Sequence, residues 1–266
     1  VDAWAWVPPP LVGQGKKTQD GWLTEFLLRP YPIRPGVLLR MPKFNMTQKE
    51  AAQLTQNFAA ASNPDYPGGF VSGTSESELA AAGEQYQKKL AKLGLPESTR
   101  LDDALKIVMN KAGCVQCHSL GNMATDQAPR AAGPNLGDVD QRLHPAYLRD
   151  WIAKPSFTLP YTKMQELIPY PKGFQLTVLD DEGKPVPGDD GQPQTREVFH
   201  GTAPEQLQAI VDLLANFGLF VQSRTPIQDL VELDDGPANE PATAEPKRPD
   251  EKERPDEKED VEEDLE

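Results

Sequence analysis

Apolar residues recur at helical spacing along several stretches of this chain, with proline- and glycine-rich segments between them. Leu101-Asp102-Asp103-Ala104-Leu105-Lys106-Ile107-Val108-Met109 reads as a short amphipathic helix. A second begins at about Pro145, with Tyr147, Leu148, Trp151 and Ile152 on one face, and Pro155 is expected to end it. Thr202 to Glu205 forms a T-x-x-E capping box opening a helix through Leu207, Ile210, Val211, Leu214 and Phe217. Thr47 to Glu50 repeats that box ahead of a helix through Leu54 and Phe58. Ser75 to Leu93 reads as a charged helix, Glu-rich at its start and with Lys88, Lys89 and Lys92 near its end, as the macrodipole favours. Its apolar content is mostly Ala, which marks it as a connector.

Only Phe174-Gln175-Leu176-Thr177-Val178-Leu179 alternates with period two. Followed by a turn at Asp180-Asp181-Glu182-Gly183, it fits a β-hairpin inserted in an otherwise all-α chain. Asp189 and Asp190, set between glycines, read as a turn and lack the ligand spacing of a calcium loop.

The length of 266 residues allows one to two compact domains, and 27 prolines against 20 glycines imply much irregular chain. Of the net charge of −14, −10 resides between Asp234 and Glu266, where fifteen acidic and five basic residues and no aromatic occur. Such a segment buries too little apolar area to offset its ordering entropy, so residues 223–266 are expected to form a disordered acidic tail. No basic face exists to neutralise phosphates, which argues against nucleic acid as a partner. No apolar run approaches the roughly 18 residues of a membrane-spanning helix.

The chemistry is concentrated in Cys114-Val115-Gln116-Cys117-His118, which holds the only two cysteines of the chain. C-x-x-C-H is the attachment signature of c-type haem. Thiols at i and i+3 reach the two porphyrin vinyl groups, and the adjacent His118 becomes an axial iron ligand. The cysteines are then thioethers and not a disulfide. A zinc site would need four ligands at paired spacings, and beyond this run only His144 and His200 remain. A thioredoxin-like site would need a strand leading into the motif, whereas a helix precedes it.

Residues about 99–220 resemble a class I cytochrome c. The resemblance lies in the C-x-x-C-H run, Gly133-Pro134-Asn135-Leu136, Tyr147-Leu148-x-x-Trp151-Ile152-x-x-Pro155 and Pro160-Tyr161-Thr162-Lys163-Met164. It implies a helical fold around one covalent haem c held through Cys114 and Cys117. It further implies that the Pro134 carbonyl accepts from the His118 ring, orienting it and raising its basicity. Met164 is implied as the sixth ligand, a thioether that favours Fe(II) and raises the potential. Arg142, Trp151 and Thr162 match positions that contact haem propionates in the family, and Tyr161 lies in the same pocket motif. Two departures stand out: Gln165 replaces the family's proline after Met, and about 35 residues are inserted (165–201). For the sixth position the rivals of Met164 are His200, His144, Met109 and Met123.

A constant offset of 125 residues then makes the amino terminus legible. It pairs Pro9 with Pro134, Leu11 with Leu136, Lys17 with Arg142, Trp22-Leu23 with Tyr147-Leu148, Phe26-Leu27 with Trp151-Ile152, Pro30 with Pro155 and Pro35 with Pro160. Arg40-Met41-Pro42 stands for Lys163-Met164. Residues 1–62 thus look like the second half of another cytochrome c without its attachment run. Either the attaching half lay upstream of Val1, or the module lost its haem and persists as a scaffold packed on the other. Met41 is accordingly an axial ligand of an absent haem or a core residue, with Met46 a weaker candidate. The expected organisation is a partial module at 1–62, linker and charged helix at 63–98, a cytochrome c domain at 99–222, and the tail.

Three function classes follow: an electron-transfer cytochrome with both axial positions filled and no catalysis, a haem protein with an open distal position for a small ligand, and a structural or interaction subunit of a larger oxidoreductase complex. The Met164 loop favours the first, which is compatible with the third. The expected partners are redox proteins, other subunits of an electron-transfer complex, and the expected location is the periplasm or another extracytoplasmic space, where covalent haem is attached in bacteria.

Overall fold

The structure, a computed structural model, describes residues 10–34, 40–63, 66, 74–110, 113–122, 133–178, 180, 184–188 and 190–222. The acidic tail, Met123, Asp189, Pro9, Pro35 and most of the 63–73 linker lie outside the described residues. What is described is mostly helical. The helices are α1 (Gln14–Lys17), α2 (Asp20–Leu28), α3 (Gln48–Ser62), α4 (Glu76–Leu93), α5 (Arg100–Met109), α6 (Val139–Arg142), α7 (Pro145–Ala153), α8 (Pro155–Thr158), α9 (Ala203–Ala215) and α10 (Phe217–Gln222). Two short strands, β1 (Gln175–Thr177) and β2 (Thr195–Glu197), pair antiparallel. Among the described residues no helix is long and apolar enough to cross a membrane.

Local chemistry explains the helix starts. Thr47, Ser75 and Thr202 each accept from the backbone N–H three residues on, while Glu50, Glu78 and Glu205 reach back to the cap N–H. Helix α4 ends on Gly94 in the left-handed region (φ 68°), which costs glycine nothing. As expected, helix α7 ends ahead of Pro155, at Ala153. Pro155 then takes the first position of a further turn, α8, where its missing N–H leaves no bond unmade. Likewise the last helix breaks at Asn216, so that Phe217 opens α10.

Two separate cores result. The larger gathers α4, α5, α7 and α9 through residues such as Leu90, Ile107, Val108, Leu148, Ile152, Ile210, Leu213 and Leu214. Helix α4 is therefore more than a connector: Tyr86 and Leu90 are buried against α5. The Tyr86 hydroxyl donates to Asp103 (2.6 Å) and accepts from the His200 N–H (3.1 Å). The Ala-rich apolar content hid this because two large residues suffice to seat the helix. The smaller core packs Leu23, Leu27 and Ala51, with Trp22, Leu54 and Phe58 alongside.

The 125-residue offset reappears in the helix bounds themselves. Adding it to α1 and α2 gives the limits of α6 and α7. Trp22 stacks on Phe26 (centroids 4.9 Å, 13°) as Tyr147 stacks on Trp151 (6.1 Å, 14°). In the amino-terminal repeat the close approach is at Gly15, where a Cβ would collide with the Phe58 carbonyl and stand 2.6 Å from the Ala59 nitrogen. Backbone cannot yield as a side chain does. Gly15→Ala should therefore cost about 1–3 kcal/mol and raise amide exchange across 14–62 while leaving α5 and α9 protected. Unchanged exchange in α3 would refute this packing.

The insertion folds as a hairpin, but with a different register from the simple one expected. β1 pairs with β2 about twenty residues away (Gln175 opposite Glu197), and a second arm interposes. Val186 donates to Val178 (2.9 Å), Gln194 to Val186 (2.8 Å) and Val178 to Gln194 (2.8 Å), closing a three-way junction. The Asp180 N–H donates to the Lys184 carbonyl (2.9 Å), on the inner arm only. Asp190 sits in a turn, its carboxylate accepting from the Gln192 N–H (3.0 Å).

Candidate functional site

Helix α5 delivers the chain into a 3₁₀ turn at Cys114–Gln116. The N–H groups of Cys117 and His118 both donate to the Cys114 carbonyl (3.1 and 3.0 Å), so two thiols and an imidazole share one tight turn. Gly113 before it is buried with no room for a side chain: a Cβ would meet the Ile107 carbonyl. Both thiols are unpaired. Cys114 packs on the large core, and burial pushes its thiol up to about 12. Thiol–disulfide chemistry needs the opposite, a depressed thiol that supplies thiolate.

His118 is held from two sides. Its Nδ1 lies 2.7 Å from the Pro134 carbonyl, and since a carbonyl can only accept, the proton sits on Nδ1 and Nε2 carries the free lone pair. Against the ring lies Gly133, where an added Cβ would collide with Cε1 and stand 2.6 Å from Nδ1 and 2.8 Å from Nε2. Burial holds the imidazole below its usual range. The Pro134 bond opposes that shift, and the Arg142 charge adds to it. A neutral ring with Nε2 free is the form that ligates iron.

Asn135 is the residue whose role sequence reasoning missed. Its carboxamide oxygen accepts from the N–H of Gly121 (2.9 Å) and of Gly137 (2.8 Å), and its Nδ2 donates to the Gly121 carbonyl (2.8 Å). With Leu136 N–H donating to Ser119 (2.8 Å), this clamps the chain after His118 onto the segment that carries Gly133 and Pro134. The available signal was an Asn ahead of a turn, a local pattern that does not reveal a partner fourteen residues away.

Met164 is partly buried and packs on the same core cluster as Cys114 and Tyr147. Its N–H donates to Thr162 Oγ1 (3.2 Å), which fixes the loop locally. Tyr161 beside it is 37% exposed, and Trp151 stands over Tyr147. On α7 the expected single apolar face divides: Leu148 and Ile152 enter the core, while Tyr147 and Trp151 remain half-buried at its rim.

The rival ligands are placed as follows. His200 Nδ1 is 3.3 Å from Glu197 Oε2. His144, half-buried, caps α7 and bonds to the Thr18 backbone. Met109 packs against the core at the end of α5. Met41 is 40% exposed and lies outside both core clusters, whereas Met46 packs with Leu23 and Leu27.

Arg142 completes the site. Its side chain is nine-tenths buried, and Nε has no hydrogen-bond partner among the described residues. Desolvation lowers its affinity for a proton, and it acts electrostatically on His118. Among the described residues no group of three or more His, Cys, Asp or Glu is placed to hold a metal ion, so the donor set is not that of a side-chain zinc cage. No family model, curated protein or solved structure matches the chain.

Proposed function

We propose that this chain is an extracytoplasmic c-type cytochrome module that passes electrons, with one haem c attached through Cys114 and Cys117 and ligated by His118 and Met164. The observation that carries the reading is the His118–Pro134 bond of 2.7 Å, with Gly133 pressed on the ring, immediately after C-x-x-C-H. The residues fit the group in three respects: unpaired thiols on one turn, an imidazole fixed with Nε2 free, and a buried cation whose Nε is orphaned beside it. When bound, haem iron supplies a one-electron couple. The protein's own part is to fix the ring of His118, to offer the Met164 thioether and to keep water out with Tyr147 and the core behind Cys114. With His118 and Met164 both serving as iron ligands, no position would be left for a substrate, so no catalysis is proposed. The partners are other redox proteins of an electron-transfer complex.

A reduced-minus-oxidised spectrum with a pyridine haemochrome assay tests this. The expected α-band is that of a haem whose vinyls have become thioethers, and its absence from protein matured with haem would end the reading. In haem-loaded protein Met164→Ala should abolish the weak Met-to-iron charge-transfer band and lower the midpoint potential, because a thioether favours Fe(II). Persistence of that band would remove Met164 as the ligand and return Met109 and Met123 to consideration, whereas a wild-type protein without the band would return His200.

A further inference from the structure

The two repeats meet along one short seam. Thr18 bridges Leu143, and 125 separates these numbers too. The Gln19 N–H donates to the Arg142 carbonyl (3.0 Å), and the His144 N–H donates to the Lys17 carbonyl (3.0 Å). By the offset Gln19 corresponds to His144 and Lys17 to Arg142. The two hydrogen bonds are therefore the same bond made twice, as at an isologous contact between two copies. A local two-fold relation passes between Thr18 and Leu143, and it brings the two equivalent cations, Lys17 and Arg142, to one place.

That place holds no ion-paired anion among the described residues. Neighbouring Lys16 is paired with Asp150 (3.6 Å), but Lys17, Arg34 and Arg142 form no ion pair among the described residues. Lys17 lies over the Tyr147 ring (5.8 Å) and is subject to repulsion from both arginines. Asp138 and the tyrosines Tyr31 and Tyr147 act on Arg142 in the opposite sense, yet its buried Nε stays unbonded. Like charges drawn together out of water are costly unless an anion joins them. Arg142 also acts on His118, which ties the seam to the haem site.

We propose that Lys17 and Arg142 jointly hold the carboxylates of the haem fixed at Cys114 and Cys117, so that the amino-terminal repeat is a working wall of that pocket. This rests on the haem reading above. Arg142 was implied by resemblance, but Lys17 enters from the other repeat and only through the seam.

The test uses the full, haem-loaded chain. Lys17→Gln removes a cation beside iron that is more positive when oxidised, so the ferric state gains. The reduced-to-oxidised ratio at fixed electrode potential should fall about threefold, a drop of about 28 mV at 59 mV per decade. Lys17→Arg should keep the wild-type potential, and Lys16→Gln, which alters an exposed pair, should move it less. The haem-carboxylate bending mode in the resonance Raman spectrum should shift in Lys17→Gln alone. Lys17→Met keeps the stem against Tyr147 and repeats the measurement if Lys17→Gln fails to fold. Equal shifts in Lys17→Arg and Lys17→Gln, or no shift in a haem-loaded variant, would overturn the proposal. A wild-type chain that carries no thioether haem would instead defeat the reading beneath it.

Discussion

Asp212→Ala should destabilise the larger domain by about 3–5 kcal/mol, a fall in Tm of roughly 6–20 °C for a domain of this size. Asp212 is 2% exposed in the middle of α9, and its carboxylate accepts from Arg100 Nη1 (2.7 Å), Thr74 Oγ1 (2.5 Å) and Gln208 Nε2 (2.9 Å). Arg100 is itself buried at the start of α5. Truncating the acid strands a guanidinium in the core, where the full desolvation penalty of the charge is felt. Removing both partners together, as Arg100→Leu with Asp212→Leu, should recover most of the loss, because apolar groups of like volume need no partner. Added salt should leave the effect of the single change nearly intact, since a buried pair is poorly screened. Thermal unfolding followed by circular dichroism checks all three. A single substitution that shifts Tm by less than about 2 °C would show that Arg100 finds water or another acid.

Much of the helical frame was legible because its signals are local. Thr47 and Thr202 announce α3 and α9 through contacts three residues long, and the Pro145 start of α7 is equally short-range. The 125-residue offset was legible for a different reason: it compares the chain with itself and needs no partner assignment. What escaped were pairings between segments distant in sequence. Arg100 and Asp212 stand 112 residues apart, and each in its own helix reads as one more surface charge. Tyr86 and Asp103 lie in a helix taken for a connector and in the first turn of the next. The further pairing of the insertion escaped similarly, since alternation marked only the first strand, and the Pro187–Pro193 bridge and the partner strand at Thr195–Glu197 lie beyond it. For the candidate site, the residue types were evident in C-x-x-C-H and Gly133-Pro134, but the seam through Thr18 and Leu143 was not. An offset shows that two segments are alike, and says nothing about whether they touch.

Gly133→Ala should disable His118 while leaving both cysteines in place. A methyl group at residue 133 would overlap Cε1 and stand within 3 Å of Nδ1 and Nε2, closer than real Cβ contacts allow. The ring cannot retreat freely, because its Nδ1 bond to Pro134 and the Asn135 clamp fix the opposing segment. Either the 133–137 segment lifts away or the imidazole turns, and both break the 2.7 Å hydrogen bond. Loss of such a supporting bond typically weakens metal ligation about 10- to 100-fold. In haem-loaded protein the variant should then show a higher reduction potential, because a less basic imidazole stabilises Fe(III) less, and a partial change from low-spin to high-spin iron in the electron paramagnetic resonance spectrum. Asn135→Ala should produce a weaker form of the same change, since it loosens the clamp without filling the space against the ring. Covalent attachment is a separate readout that should survive in both, as it depends on Cys114 and Cys117. If Gly133→Ala retains wild-type spin state and potential, the ring is not the group that Gly133 makes room for, and the ligand role of His118 loses its structural support.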